Sequence, residues 1–336
     1  MFHGFINLNK PLGWTSHDCV ARSRRLLNTK KVGHGGTLDP LATGVLPIAV
    51  GRATKLLQYL PEQKAYRATI RFGLTTTTDD LEGETVTQQS AEQLTKERVE
   101  TALLANFLGT LQQKPPMYSA VQVQGKRLYD LARQGRSADI PARTVTIHQL
   151  RVQDWSAGKQ PELIVDVDCG PGTYIRSLAR DLGEVVGTGA TLAGLCRTHS
   201  SGFELSESVT LETLEASLAQ GDFVPISAGK AMSHMEAIAL SAPFARRWCL
   251  GQKLLLTDVM AADAMPAIDP SQPVLFRRVL AADTSAFLGI GEIRMGQTMP
   301  NSQMLDGTLS NSAASQAPEA VIVSKILAPK RVFATV

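Results

Sequence analysis

Metal-ligand spacing is missing from this sequence. Its four cysteines, Cys19, Cys169, Cys196 and Cys249, contain no C-x-x-C pair, and its six histidines contain no H-x-x-x-H pair. Structural and catalytic zinc sites need clustered ligands, so no metal is expected. The thiols read as free cysteines of a reducing cytoplasm. Long apolar runs are missing as well. The longest one near a terminus, Leu41 to Val50, is interrupted by Thr43, Gly44 and Pro47. It falls far short of the roughly 20 residues that cross a bilayer. Asn7, Asn9, Lys10 and Pro11 break up any secretory apolar core. Neither end is lysine-rich, and no segment repeats. The net charge is only +3 over 336 residues. A hydrophobic fraction of 43% is ample for a folded core, and the length suits two domains.

The small net charge hides an uneven distribution. Residues 1–60 carry eight basic side chains against Asp18 and Asp39, a net +6 with His neutral, whereas residues 61–100 sum to −3. A basic N-terminal segment on a near-neutral chain fits either a localised polyanion site or a solvated helix face. Local pattern supplies the elements. Phe5 to Leu8 reads as a strand, and Ser16 as the N-cap of a helix from His17 to about Leu27. Gly33 to Gly44 reads as a glycine-rich loop. From Ala65 to Leu74, Tyr66, Ala68, Ile70, Phe72 and Leu74 alternate with polar residues, as in a half-buried strand. Ala91 to Leu108 reads as a helix, and Arg143 to Val152 and Glu162 to Cys169 as strands. Thr173 reads as the cap of a helix whose apolar stripe is Ile175, Leu178, Ala179, Leu182 and Val186. Strands separated by helices without strict alternation predict an α+β fold. Beyond residue 235, short strands at Leu254 to Leu256, Val274 to Phe276, Ala286 to Ile290 and Ala320 to Leu327 predict a small β-rich domain. Gly296 to Pro318, rich in Ser, Asn, Gln, Met and Gly, reads as a mobile loop within it.

One stretch carries chemistry. In Gly33-His34-Gly35-Gly36-Thr37-Leu38-Asp39-Pro40, the proline pushes Asp39 out of the helical region, and the glycines let backbone approach a ligand. Asp-Pro alone reads more readily as a plain turn. Further motifs stand around it in a fixed order. They are Asn9-Lys10-Pro11-Leu12-Gly13-Trp14-Thr15-Ser16, Lys64-Ala65-Tyr66-Arg67-Ala68, Gln113-Lys114-Pro115-Pro116-Met117-Tyr118-Ser119-Ala120 with Gly125-Lys126-Arg127-Leu128-Tyr129, and Gly172-Thr173-Tyr174-Ile175-Arg176-Ser177-Leu178 with Asp181-Leu182-Gly183. Together they resemble the bacterial tRNA pseudouridine synthase B family over nearly the whole of the first 235 residues.

The resemblance implies a pseudouridine synthase fold, with a mixed, mostly antiparallel central sheet flanked by helices, in a catalytic domain over residues 1–235. It implies isomerisation of uridine 55 in the T-arm loop of tRNA without a cofactor or metal. It also implies residue roles: Asp39 as nucleophile or base, Tyr66 stacked on the target base and taking its C5 proton, and Arg176 paired with Asp39. Tyr174 and Leu195 would line the uracil pocket, His34 would hold the flipped-out loop, and Lys10 and Lys55 would contact the substrate. Asp80 looks like a position that orients Arg176. The tail, residues 236–336, loosely resembles a PUA-like accessory RNA-binding domain through Trp248-Cys249-Leu250-Gly251-Gln252, Phe287-Leu288-Gly289-Ile290-Gly291-Glu292 and Lys330-Arg331-Val332-Phe333. A cytoplasmic monomer with tRNA as its partner, and no membrane or obligatory protein partner, is the expectation. Three other readings compete: a guide-RNA-dependent pseudouridine synthase, a glycosidase, which needs two carboxylates about the scissile bond, and a protein that chiefly folds tRNA.

Overall fold

The computed structural model describes residues 2–119, 122–123, 126–127, 140–261, 266, 274–298 and 322–333. By internal contacts the chain divides into two units, Met1–Ile226 and Ser227–Val336, ahead of the boundary expected at residue 235.

The first unit opens with β1 (Gly4–Lys10), α1 (Ser16–Leu26), β2 (Val32–His34) and β3 (Ala42–Val50). A 3-10 helix, Gly51–Tyr59, leads to β4 (Lys64–Phe72), β5 (Leu74–Thr76) and β6 (Thr85–Gln88). Then come α2 (Lys96–Phe107), β7 (Gly109–Gln113), the short hairpin β8 (Gln122–Val123) and β9 (Lys126–Arg127), β10 (Arg143–Ser156) and β11 (Glu162–Cys169). The unit closes with α3 (Ile175–Val186), β12 (Ala190–Ser200), β13 (Phe203–Glu204) and α4 (Leu211–Gln220). The large sheet runs β1-β3-β12-β4-β11-β10-β7, with β2 on β3 and β13 on β12. Every neighbouring pair is antiparallel except β3 with β12, which run parallel. The architecture is the expected α+β one.

Alternation decides which face of β4 is buried. Tyr66, Ala68, Ile70 and Phe72 are in the core, and Arg67 points out to pair with Asp166 on β11. The predicted apolar stripe of α3 is buried as a stripe, packed against β12 and β4. Gly187, left-handed at φ 81°, ends that helix by returning its N–H to Gly183 and Glu184. On α2, the spacing of Val99, Leu103 and Phe107 buries one face against α3 and β10.

Several boundaries differ from the sequence expectation. Thr15, not Ser16, caps α1: its hydroxyl accepts from the Asp18 N–H while Asp18 accepts from the Thr15 N–H, a reciprocal box. The helix α2 starts five residues after Ala91, because Ala91–Leu94 closes as a turn and Thr95 caps. Thr173 does not cap α3. Its hydroxyl donates to the Gly170 carbonyl, and the Gln113 side chain meets the Tyr174 backbone instead. The expected loop at 33–44 shrinks, since β2 and β3 take its ends.

In the second unit, β14 (Ala237–Leu240), β15 (Leu254–Leu255), β16 (Val274–Ala281), β17 (Phe287–Thr298) and β18 (Ile322–Val332) form a sheet ordered β14-β16-β17-β18-β15. Ile238, Leu240, Trp248, Leu254, Leu256, Val279, Ile293 and Leu327 make its core. The residues Gly296 to Thr298, expected in a loop, extend β17 and pair with β18. The rest of that expected loop, and Gly125, Leu128 and Tyr129 of the family-like motif, lie outside the described residues.

Candidate active site

The Asp39 loop is fastened from below before any side chain reaches the cleft. Ser16 accepts from the Leu38 N–H at 2.8 Å and faces the Leu38 carbonyl at 3.2 Å, so both backbone groups next to Asp39 are satisfied by one buried hydroxyl. The Gly13 N–H reaches the Pro40 carbonyl at 2.9 Å, and the Ala42 N–H reaches that of Asp39 at 3.1 Å. Lys10 is fully buried, and its ammonium donates to the carbonyls of Pro11, Trp14 and Pro40. An ammonium has three donors. With all three spent on backbone, Lys10 has nothing left for a phosphate, and it ties the first motif to the loop rather than contacting substrate. Lys55, exposed on the 3-10 helix, does not line the cleft either. The structure thus brings neither of these two expected substrate contacts to the cleft.

Arg176, in the first turn of α3, is 5% exposed and meets Asp39 through Nη2–Oδ2 at 3.0 Å. Its remaining donors are placed with equal care by the fold. Nε lies 3.6 Å from Oδ2 of buried Asp80, Nη1 donates to the Thr78 carbonyl, and Nη2 to that of Tyr118. Two carboxylates thus share one guanidinium. The Asp39 side chain keeps 39% of its surface because the cleft opens over it, yet protein atoms crowd its other sides. Burial pushes its pKa above the ordinary 3.8; Arg176 opposes this and Asp80 adds to it. The result is a carboxylate held in place but less solvated than in water, which makes it a stronger base and nucleophile.

The cleft above has a volume of about 710 Å³ and is lined by His34, Asp39, Tyr66, Asp80, Tyr174, Arg176 and Leu195 among others. Six of the eight site residues expected from sequence therefore converge on one cavity. Tyr66 is 7% exposed, with its hydroxyl pushed by burial to a higher pKa. Burial lowers the pKa of His34, leaving the ring neutral at pH 7. Tyr174 is the N-cap of α3, and its N–H and carbonyl both bind the Gln113 side chain. Lys64, Tyr118 and Ser119 also line the cavity, and Arg197 lies beneath it. Sequence reasoning assigns none of those four a role. For Arg197 a signal exists: it stands two residues after Leu195 on β12, hence on the same face of the strand.

The chain is similar to known proteins over most of its length. Residues 24–175 match the TruB family pseudouridylate synthase N-terminal domain, and residues 176–224 match the tRNA pseudouridylate synthase B C-terminal domain. A protein of Trichormus variabilis named tRNA pseudouridine synthase B is 53% identical over 297 residues, which is 88% of this chain and 97% of that one. One of the same name from Gloeobacter violaceus is 49% identical over 298 residues, again 88% and 97% of the two chains. Among solved structures, the fold is similar to a chain in a Cbf5-Nop10-Gar1 complex, with a TM-score of 0.66 at 25% identity, covering 98% of this chain and 84% of that one. With half of its residues shared along nearly the full length of such relatives, and an aspartate–arginine pair set in the cleft, the chain belongs to the TruB family of pseudouridylate synthases.

Proposed function

We propose that this protein converts uridine 55 in the T-arm loop of tRNA to pseudouridine, acting alone, as a cytoplasmic monomer and without a cofactor. The observation that carries the reading is the Asp39–Arg176 pair at 3.0 Å in a cleft large enough for one nucleotide, with Tyr66 in the same wall. The reaction breaks the bond from uracil N1 to C1′, turns the base, and joins C5 to C1′. Asp39 serves it by attacking C1′ or by taking the C2′ proton; both routes use the same ionised carboxylate. Arg176 keeps that carboxylate aimed, and Asp80 keeps Arg176 aimed. After the new bond forms, C5 still carries its hydrogen, and the Tyr66 hydroxyl oxygen is the acceptor. Extruding a base from a folded loop costs a few kcal/mol, which stacking on the Tyr66 ring and contact with neutral His34 offset. Tyr174 and Leu195 flank the uracil.

Exposed Arg24, Arg25, Lys30 and Lys31, at and just beyond the C-terminal turn of α1, supply phosphate contacts. The second unit contributes accessory RNA contacts, for which its exposed Arg246 and Arg247 are suited.

The test is carbodiimide primer extension on a transcribed tRNA treated with the purified chain. A new stop at position 55, absent with Asp39→Asn, is expected. Modification that requires an added guide RNA or protein partner would replace this reading with the guide-dependent one, and release of free uracil would replace it with glycosidase chemistry.

A further inference from the structure

Arg197 is a fully buried charge that the reaction described above does not use. It is 0% exposed, in the middle of β12, and among the described residues it forms no ion pair. Burying a guanidinium without a carboxylate is costly unless its donors find acceptors. Each of its nitrogens gives one hydrogen bond to backbone, which uses three of its five N–H donors: Nε to the Val45 carbonyl at 2.7 Å, Nη1 to that of Thr37 at 3.3 Å, and Nη2 to that of Gly36 at 3.1 Å. A neutral side chain could hold a loop at less expense. The cross-strand partner of Arg197 on β4 is Tyr66, so the two side chains stand side by side on one face of the sheet, where the guanidinium charge acts on the phenol. One cation therefore serves both halves of the site: it binds the two residues that lead to Leu38–Asp39, and it stands beside the tyrosine that faces the base.

We propose that Arg197 is a positioning residue for the reaction, whose buried charge stabilises the anionic form of the Tyr66 oxygen and so makes it competent to accept the C5 proton. The proposal rests on the reading of Tyr66 given above. In the step itself, the phenolate oxygen takes the proton and the C5–H electron pair restores the C5–C6 double bond. The neutral phenol then returns its proton to solvent water through the open cleft, while N1 takes one from water, so no net proton is consumed. An ordinary phenol, with a pKa of about 10, is a weak base near neutrality, and burial makes ionisation harder still. Arg197 is the group that opposes this most strongly. The other groups facing Tyr66 do not help. Cys169 on β11 stays a neutral thiol, its pKa pushed up to about 11, and Asp39 repels a phenolate. Around Arg197 itself lie Lys64 of β4, Lys10 of β1 and His34 of β2, all with pKa values lowered, chiefly by burial. None of these is a counter-ion, which leaves the tyrosine oxygen as the site where the guanidinium charge has most effect.

The experiment is an ultraviolet difference titration of tyrosinate in the substrate-free protein, each form read against its Tyr66→Phe counterpart. Moving from wild type to Arg197→Met should raise the Tyr66 midpoint by about one pH unit or more, with Arg197→Lys closer to wild type. Single-turnover rates at saturating tRNA should fall about tenfold per unit of that shift, with tRNA affinity little changed. An unmoved midpoint in a folded Arg197→Met protein overturns the proposal. A moved midpoint with an unmoved rate profile upholds the electrostatic pairing and overturns the proton-acceptor reading of Tyr66 instead. If Arg197→Met does not fold, the unmutated arginine can report. With Tyr66 replaced by the more acidic 3-fluorotyrosine, the side-chain nitrogen resonances of Arg197 should move through the same midpoint as the phenol, and resonances that stay still overturn the proposal.

Discussion

Asp39 must be ionised to work, in a setting where ionisation is unfavourable. Its pKa lies above 3.8 even with Arg176 3.0 Å away, because desolvation outweighs the pairing. The folded state therefore holds this proton more tightly than the unfolded chain does. Ionised Asp39 costs stability at pH values above its folded pKa, and that cost vanishes as pH falls below 3.8. Asp39→Asn should accordingly abolish turnover, leave tRNA affinity within about tenfold, and melt at an equal or higher temperature than wild type at pH 7. The difference in Tm should shrink towards pH 3; a variant that melts well below wild type at pH 7 would show that Arg176 depends on the carboxylate for its own placement. Asp39, Tyr66 and Arg176 are legible in the sequence because each sits in a short motif. The burial of Lys10 and Arg197 is not legible, for one shared reason. A basic side chain in a basic segment, or in a strand, reads as solvated, and only the surrounding carbonyls reveal that its charge is spent inside.

Two elements meet at the point where the chemistry is supported. The strands β3 and β12 pair in parallel, and Gly44 lies against Arg197 where they touch. Its φ is 97°, and a Cβ there would come 2.3 Å from the Arg197 carbonyl oxygen. Backbone cannot move aside cheaply, and L-residues avoid this conformation. Gly44→Ala should cost roughly 2 kcal/mol or more in urea unfolding and lower the single-turnover rate as well, since β12 carries both Leu195 and Arg197. Stability loss with an unchanged rate in the folded fraction would separate the crossing from the site. Sequence alternation locates β4 and β11 well, because each buries one face against helices and a one-residue slip would expose it. It does not order the strands. That β12 lies between β3 and β4 depends on pairings some 150 residues apart in the chain, which no local pattern records.

On the scale of the whole molecule, a net charge of +3 is shared unevenly, and the excess in residues 1–60 is the part that matters for RNA. Neutralising Arg24, Arg25, Lys30 and Lys31 together should flatten the dependence of log affinity on log salt by about one unit for every phosphate that these side chains no longer neutralise. An unchanged slope would move the RNA elsewhere on the surface. Ending the chain after Ile226 should weaken tRNA binding but preserve the rate at saturating tRNA, because all the cleft residues lie in the first unit. A rate that collapses in a truncated protein with native circular dichroism would make the second unit part of the catalytic apparatus. The parallel join of β3 to β12 also sets an order in time. On the ribosome, Val50 emerges some 150 residues before Ser200; at about 5–20 residues per second that is on the order of ten seconds. For that interval the loop bearing Asp39 has been made, but the strand that braces it has not. A nascent chain halted short of Ala190 therefore lacks Leu195 and Arg197, and the edge of β3 at Ala42 to Gly44, still unpaired, is a surface that chaperones can recognise.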